Sequence, residues 1–242
     1  MMFNKAYSIM KSCNLSGVIE NKIDDLIAKK YSQHPYSTSL KLDNIELALS
    51  QALAISQSCP YLFAGALNNL LFNCIREGRV IDKKIEATSS VSIFLSWDES
   101  GSYNKTKLLG DKALPLILNS DEFHANILKS DLRKIFKKEI VPYYSKNVAA
   151  YLKEIASALS NTNDLKRCAA LLAFEIHAEI VSKVLWDKIV EIFPYIQKHE
   201  LAFFELHVGE NPAEELHVEM TKSMIKIVVE TCLLYTSDAA DE

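Results

Sequence analysis

FFELHVGENPAEELHVEM, residues 203–220, is dense in side chains that can hold a metal. On an α-helix, at 100° per residue, His207, Glu210, Glu214 and His217 share an arc of about 80°, and Phe203 lies inside it. An aromatic residue within the arc argues that this face turns inward. Imidazoles and carboxylates turned toward a core need partners, because a buried charge without one is costly. A metal ion meets that need, and nitrogen and oxygen donors of this kind suit iron, manganese or zinc. Gly209 and Pro212 interrupt the stripe, and Pro212 cannot donate the helical bond to Val208, so a kink or bulge is expected there. Without a metal, His207 and His217 would be ordinary helix-face histidines beside solvated glutamates. An inward face of this type requires other helices to close over it, which points to a bundle.

The rest of the chain supplies those helices. Six glycines and six prolines in 242 residues leave long uninterrupted stretches. Apolar residues at three- and four-residue spacing predict helices over 17–31, 43–59, 61–77, 81–97, 121–136, 143–159, 165–192, 195–208 and 212–229. Pro35 and Pro60 are read as breaks, and Asp43 with Glu46 as a capping box. No strand alternation and no internal repeat stand out. The expected fold is an all-α bundle of about seven to nine helices, a single domain over 1–231.

Composition narrows the function classes. Hydrophobic residues make up 49% of the chain, enough for a large core, and a net charge of −4 argues against general nucleic-acid binding. No run of 18 apolar residues predicts a membrane span. Five scattered cysteines without a CxxC pattern fit reduced thiols and a cytoplasmic location. Lys129, Arg133, Lys134, Lys137 and Lys138 are read as a solvated face.

Further candidate ligands lie upstream. Glu175 sits in the very apolar run CAALLAFEIHAEIV. His177, two positions on, turns about 200° away from it and is expected to take no part in ligation. Glu99 closes the helix ending in SWDESG, and His124 opens the one beginning FHANIL. Glu214-x-x-His217 and Asp121-x-x-His124 both have the acid-x-x-His spacing that bundles use to project ligands inward. Each residue also has a structural alternative: Glu175 paired with a lysine, Glu99 exposed at a helix end, His124 on the surface.

The order Glu99 … His124, Glu175, His207 … Glu214-x-x-His217 resembles the ligand pattern of the heme-oxygenase-like diiron oxidases. More narrowly it is similar to the branch of the chlamydial protein associating with death domains, and the segment HPYSTSL fits the start of that fold. The resemblance covers roughly residues 17–230. It implies a heme-oxygenase-like bundle holding two iron ions, with manganese as the other metal that accepts this set. The implied metal ligands are Glu99, His124, Glu175, His207, Glu214 and His217, with Glu210, Asp98 and Asp121 as alternates and no catalytic residue distinct from them. It also implies O2 and a small-molecule substrate as partners, and homodimers are a habit of the fold. The chain departs from the pattern in two spacings. Glu99 and His124 are separated by 24 residues, and His207 and Glu214 are seven apart.

Three function classes follow. The first is a non-haem diiron oxidase or oxygenase. The second is a thiaminase-like enzyme on the same fold, for which Cys168, seven residues before Glu175, is the candidate nucleophile. The third is a non-catalytic helical interaction protein. Residues 232–242, CLLYTSDAADE, resemble translated sequencing-adapter sequence and are set aside as a non-native tail.

Overall fold

Two long helices, of 32 and 29 residues, organise the chain. The computed structural model describes residues 33–99, 123–209, 220, 221 and 223–228, together with Asp25 and Lys29. Among the described residues there is no strand. The bounded elements are α1 (Tyr36–Ser39), α2 (Ile45–Arg76), α3 (Lys83–Glu99), α4 (His124–Phe136), α5 (Lys146–Leu159), α6 (Asp164–Ile192), a 3-10 turn (Lys198–Glu200) and α7 (Ala202–Val208). Residues 220, 221 and 223–228 are helical as well. The protein is thus the all-α bundle that the apolar spacing predicted, and none of the described helices is long and apolar enough to cross a membrane.

α6 begins at Asn163, whose side chain accepts the Lys166 N–H at 3.0 Å, and stops at Phe193, just before Pro194. Between these ends Cys168 through Phe174 are all buried, so α6 is covered on every side. It packs on α1, α3, α5 and α7, while α2 packs on α3, α4 and α5. Two hydrophobic clusters result. One gathers Phe63, Ile155, Leu171 and Phe174, and the other Leu49, Leu132, Trp186 and Phe204.

The expected break at Pro60 does not occur. α2 runs through it as one helix of 32 residues. Pro60 lacks the N–H that would bond the Ser56 carbonyl, a loss of about 3 kcal/mol or more in a helix interior. Tertiary packing outweighs it: Cys59, Pro60 and Phe63 are buried, and the Pro60 carbonyl accepts the Ser96 hydroxyl at 2.9 Å. The Asp43 capping box is also replaced. The N-cap of α2 is Asn44, whose side chain accepts from Lys41 N–H at 2.8 Å and donates to the Ser39 carbonyl at 3.0 Å. α5 starts at Lys146 rather than 143, because the Ser145 hydroxyl caps Val148 N–H. The helix expected over 195–208 shrinks to the 3-10 turn and α7.

α7 is short but tied down. Asp131, fully buried on α4, accepts the Phe203 N–H at 2.8 Å and Lys134 Nζ at 3.0 Å. Burial pushes the Asp131 carboxyl above its ordinary value, while these two bonds hold it down. At its other end α7 closes on Gly209, whose N–H donates to the Glu205 carbonyl at 3.0 Å. A Cβ at position 209 would stand 2.4 Å from that carbonyl oxygen, so a glycine is needed there. The single inward-facing helix read over 203–220 therefore ends at Val208, and the expected ligands Glu210, Glu214 and His217 lie outside the described residues. Of the basic cluster, Arg133, Lys134, Lys137 and Lys138 are exposed, and Lys138 pairs with Glu46 at 2.8 Å.

Candidate metal centre

Three helix ends meet beside the second hydrophobic cluster. Glu99 is the last residue of α3, His124 the first of α4, and His207 the penultimate residue of α7. One ligand atom from each lies within 4.8 Å of the others. His124 Nδ1 stands 3.3 Å from Glu99 Oε2, and its Nε2 stands 3.9 Å from Asp98 Oδ2. The His124 and His207 rings meet edge to face with centroids 5.1 Å apart. His124 is buried and Glu99 half-buried. This carboxylate and these two imidazoles could hold a metal ion.

Local geometry fixes the imidazole of His207. Its Nδ1 lies 2.6 Å from the Phe203 carbonyl one turn back. A carbonyl can only accept, so Nδ1 carries the proton and Nε2 keeps its lone pair, the arrangement common among ligating histidines. The Phe203 ring lies 4.0 Å from the His207 ring, restricting its rotation further. Because Asp131 anchors Phe203, the placement of His207 traces back to α4, the helix that carries His124.

A cavity of about 100 Å³ adjoins these residues at the seam of the two hydrophobic clusters. Glu99, Glu175 and His207 line it together with Phe174, Phe203 and Phe204. A further part of its wall is polar: the Tyr151 hydroxyl and His177 Nδ1 share a hydrogen bond of 3.0 Å. Burial, with a smaller contribution from His34, holds the His177 imidazole down at about 4. Burial also raises the Tyr151 hydroxyl, and Cys59 and Glu175 add to that effect. Both groups are therefore uncharged near neutral pH.

Of the residues singled out from the sequence, Glu99, His124 and His207 come together, with Asp98 at the edge of the group. Glu175 lines the cavity but is not one of the three that converge. Asp121, like Glu210, Glu214 and His217, falls outside the described residues. Cys168 is fully buried in the apolar core and does not line the cavity. Ser56, Tyr151 and the cavity-facing side of His177 are not legible in the sequence. None stands in a motif, and the cavity wraps far enough around α6 to reach both Glu175 and His177. No family model, curated protein or solved structure matches the chain.

Proposed function

We propose that the chain is a non-haem iron oxidase or oxygenase of the heme-oxygenase-like kind, using O2 on a small molecule held in the cavity beside Glu99 and His207. The observation behind this reading is the convergence of one carboxylate and two imidazoles from three helix ends. Two histidines and one carboxylate leave open positions on an ion, a donor set that suits non-haem Fe(II).

The residues fit such an ion in their chemistry as well as in number. The Phe203 carbonyl leaves Nε2 of His207 as the ligating nitrogen. Among the described residues lining the cavity there is no lysine or arginine. The described group accounts for one ion. A second would call on Glu175 together with Glu214 and His217. When bound, iron supplies the site at which O2 is reduced. The chain's own residues do the remaining work. Glu99, His124 and His207 bind, and Phe174, Phe203 and Phe204 keep water away from the reacting molecules.

Oxygen uptake after anaerobic loading with Fe(II) tests the reading. Loaded wild-type protein should consume O2 with a change in its optical spectrum, and Glu99→Ala and His207→Ala should not. If iron binds without any oxygen-dependent change, the oxidase reading is wrong. If no iron binds, a helical interaction protein takes its place.

A further inference from the structure

The cavity has a polar wall that metal binding does not use. Ser56 on α2 lines it, and the Ser56 hydroxyl is buried without a hydrogen-bond partner. Ser56 is 8% exposed, so its hydroxyl faces the cavity lining rather than bulk solvent. Pro60 stands four residues on, where a residue with an N–H would bond the Ser56 carbonyl. Cys59, one turn along the same helix, also lines the cavity and lies close enough to act on Tyr151. Tyr151 in turn bonds His177 at 3.0 Å, and a phenolic oxygen has capacity for a second hydrogen bond. Helices α2, α5 and α6 thus bring a hydroxyl, a phenol and an imidazole to the lining of one cavity, whose apolar lining includes Ile55, Val181 and Leu185.

Charge and size restrict what can sit there. Glu99 and Glu175 line the same cavity, and no lysine or arginine does so among the described residues. A carboxylate or phosphate entering would be stripped of water opposite two acids, with no lysine or arginine of the described lining to meet it. The volume of about 100 Å³ is below the roughly 150 Å³ that holds a benzene molecule in an apolar protein cavity, which limits the occupant to a handful of heavy atoms.

We infer that Ser56, Tyr151 and His177 form a subsite for the one polar group of a small neutral molecule, an alcohol or carbonyl compound on a short apolar chain, and that the cavity discriminates against anions. This names a substrate class for the proposed oxidase and rests on that reading in this respect alone, since the binding itself needs no metal.

The test compares 1-propanol with propanoate by calorimetric titration at neutral pH, on the metal-free full chain, with propanol repeated after loading with Fe(II) under argon. Propanol should bind saturably to both forms, and propanoate at least about tenfold more weakly to the metal-free one. Ser56→Ala and Tyr151→Phe should each weaken propanol binding by up to about tenfold, the range expected for one lost hydrogen bond. Ser58→Ala should leave it unchanged, because the Ser58 hydroxyl bonds the Ala54 carbonyl and does not line the cavity. Propanoate binding to the metal-free chain as tightly as propanol would overturn the inference. So would the absence of saturable propanol binding, or propanol affinity unchanged in both variants. Propanol bound by a protein that takes up no iron would leave the subsite standing and remove the oxidase.

Discussion

At the start of α6, Arg167 is buried to 1% exposure and donates to the Thr88 hydroxyl, the Asn161 carbonyl and Asp164. Arg79 joins the same group, pairing with Asp164 at 2.7 Å and Asp82 at 3.1 Å. Where α3 and α7 end and α4 begins, the polar residues are Asp98, Glu99, His124 and His207. The first cluster alternates charge, so its acids are already met by guanidinium groups of the chain. The second assembles acids and neutral-capable imidazoles, a composition that could hold a metal ion. Both are buried polar clusters at helix ends, yet the chain neutralises one itself and leaves the other suited to a ligand.

Breaking the self-contained cluster should have the largest effect. Arg167→Met leaves the Asp164 carboxylate with one guanidinium fewer and should cost about 3–5 kcal/mol in chemical denaturation, with metal affinity unchanged. Loss of metal affinity in that variant would mean that the two clusters are coupled.

The next effect is in pH. The His177 imidazole is held at about 4 in the folded protein against 6.5 in the unfolded chain. Its neutral form therefore contributes stability that is fully present above pH 6.5 and is lost as the pH falls toward 4, on the order of 3 kcal/mol in all. His34, also lowered by burial, titrates in part of the same window. Metal-free His177→Gln should show a flatter acid limb in stability measured from pH 7 to 4. An unchanged limb would assign the acid sensitivity to other groups.

A somewhat smaller shift should come from the metal. A divalent ion at about 100 times its dissociation constant should stabilise the wild-type protein by about 2.7 kcal/mol. Glu99→Ala and His207→Ala should lose that increment while the metal-free proteins melt close to wild type. Equal stabilisation of the variants would place the ion elsewhere.

The smallest of the four concerns Asp131. Asp131→Ala leaves the Phe203 N–H without its acceptor and should cost about 1–3 kcal/mol. Because Phe203 carries the carbonyl that orients His207, metal affinity should fall too, whereas a stability loss with intact affinity would show that α7 is positioned by packing alone.

The bundle was legible because its signal is local. Apolar spacing located α3, α4 and α6 to within a few residues. It failed where tertiary packing overrides a local rule: Pro60 reads as a break in isolation and is absorbed once Cys59 and Phe63 are buried on both sides of it. The convergence of Glu99, His124 and His207 was approachable through a pattern of residue types in order along the chain. The wall of Ser56, Tyr151 and His177 was not, because it joins three helices whose relative rotation no single segment encodes. His177 lies about 200° around α6 from Glu175, yet the cavity reaches far enough around the helix to be lined by both.

The most direct test of the metal centre is anaerobic titration of the full chain with Fe(II), read by elemental analysis after gel filtration and compared with Glu99→Ala and His207→Ala. At least one iron should be retained per wild-type chain, and each variant should lose that ion while remaining folded. Wild-type protein that retains no iron, or variants that retain as much as wild type, would contradict the assignment of this cluster as a metal centre.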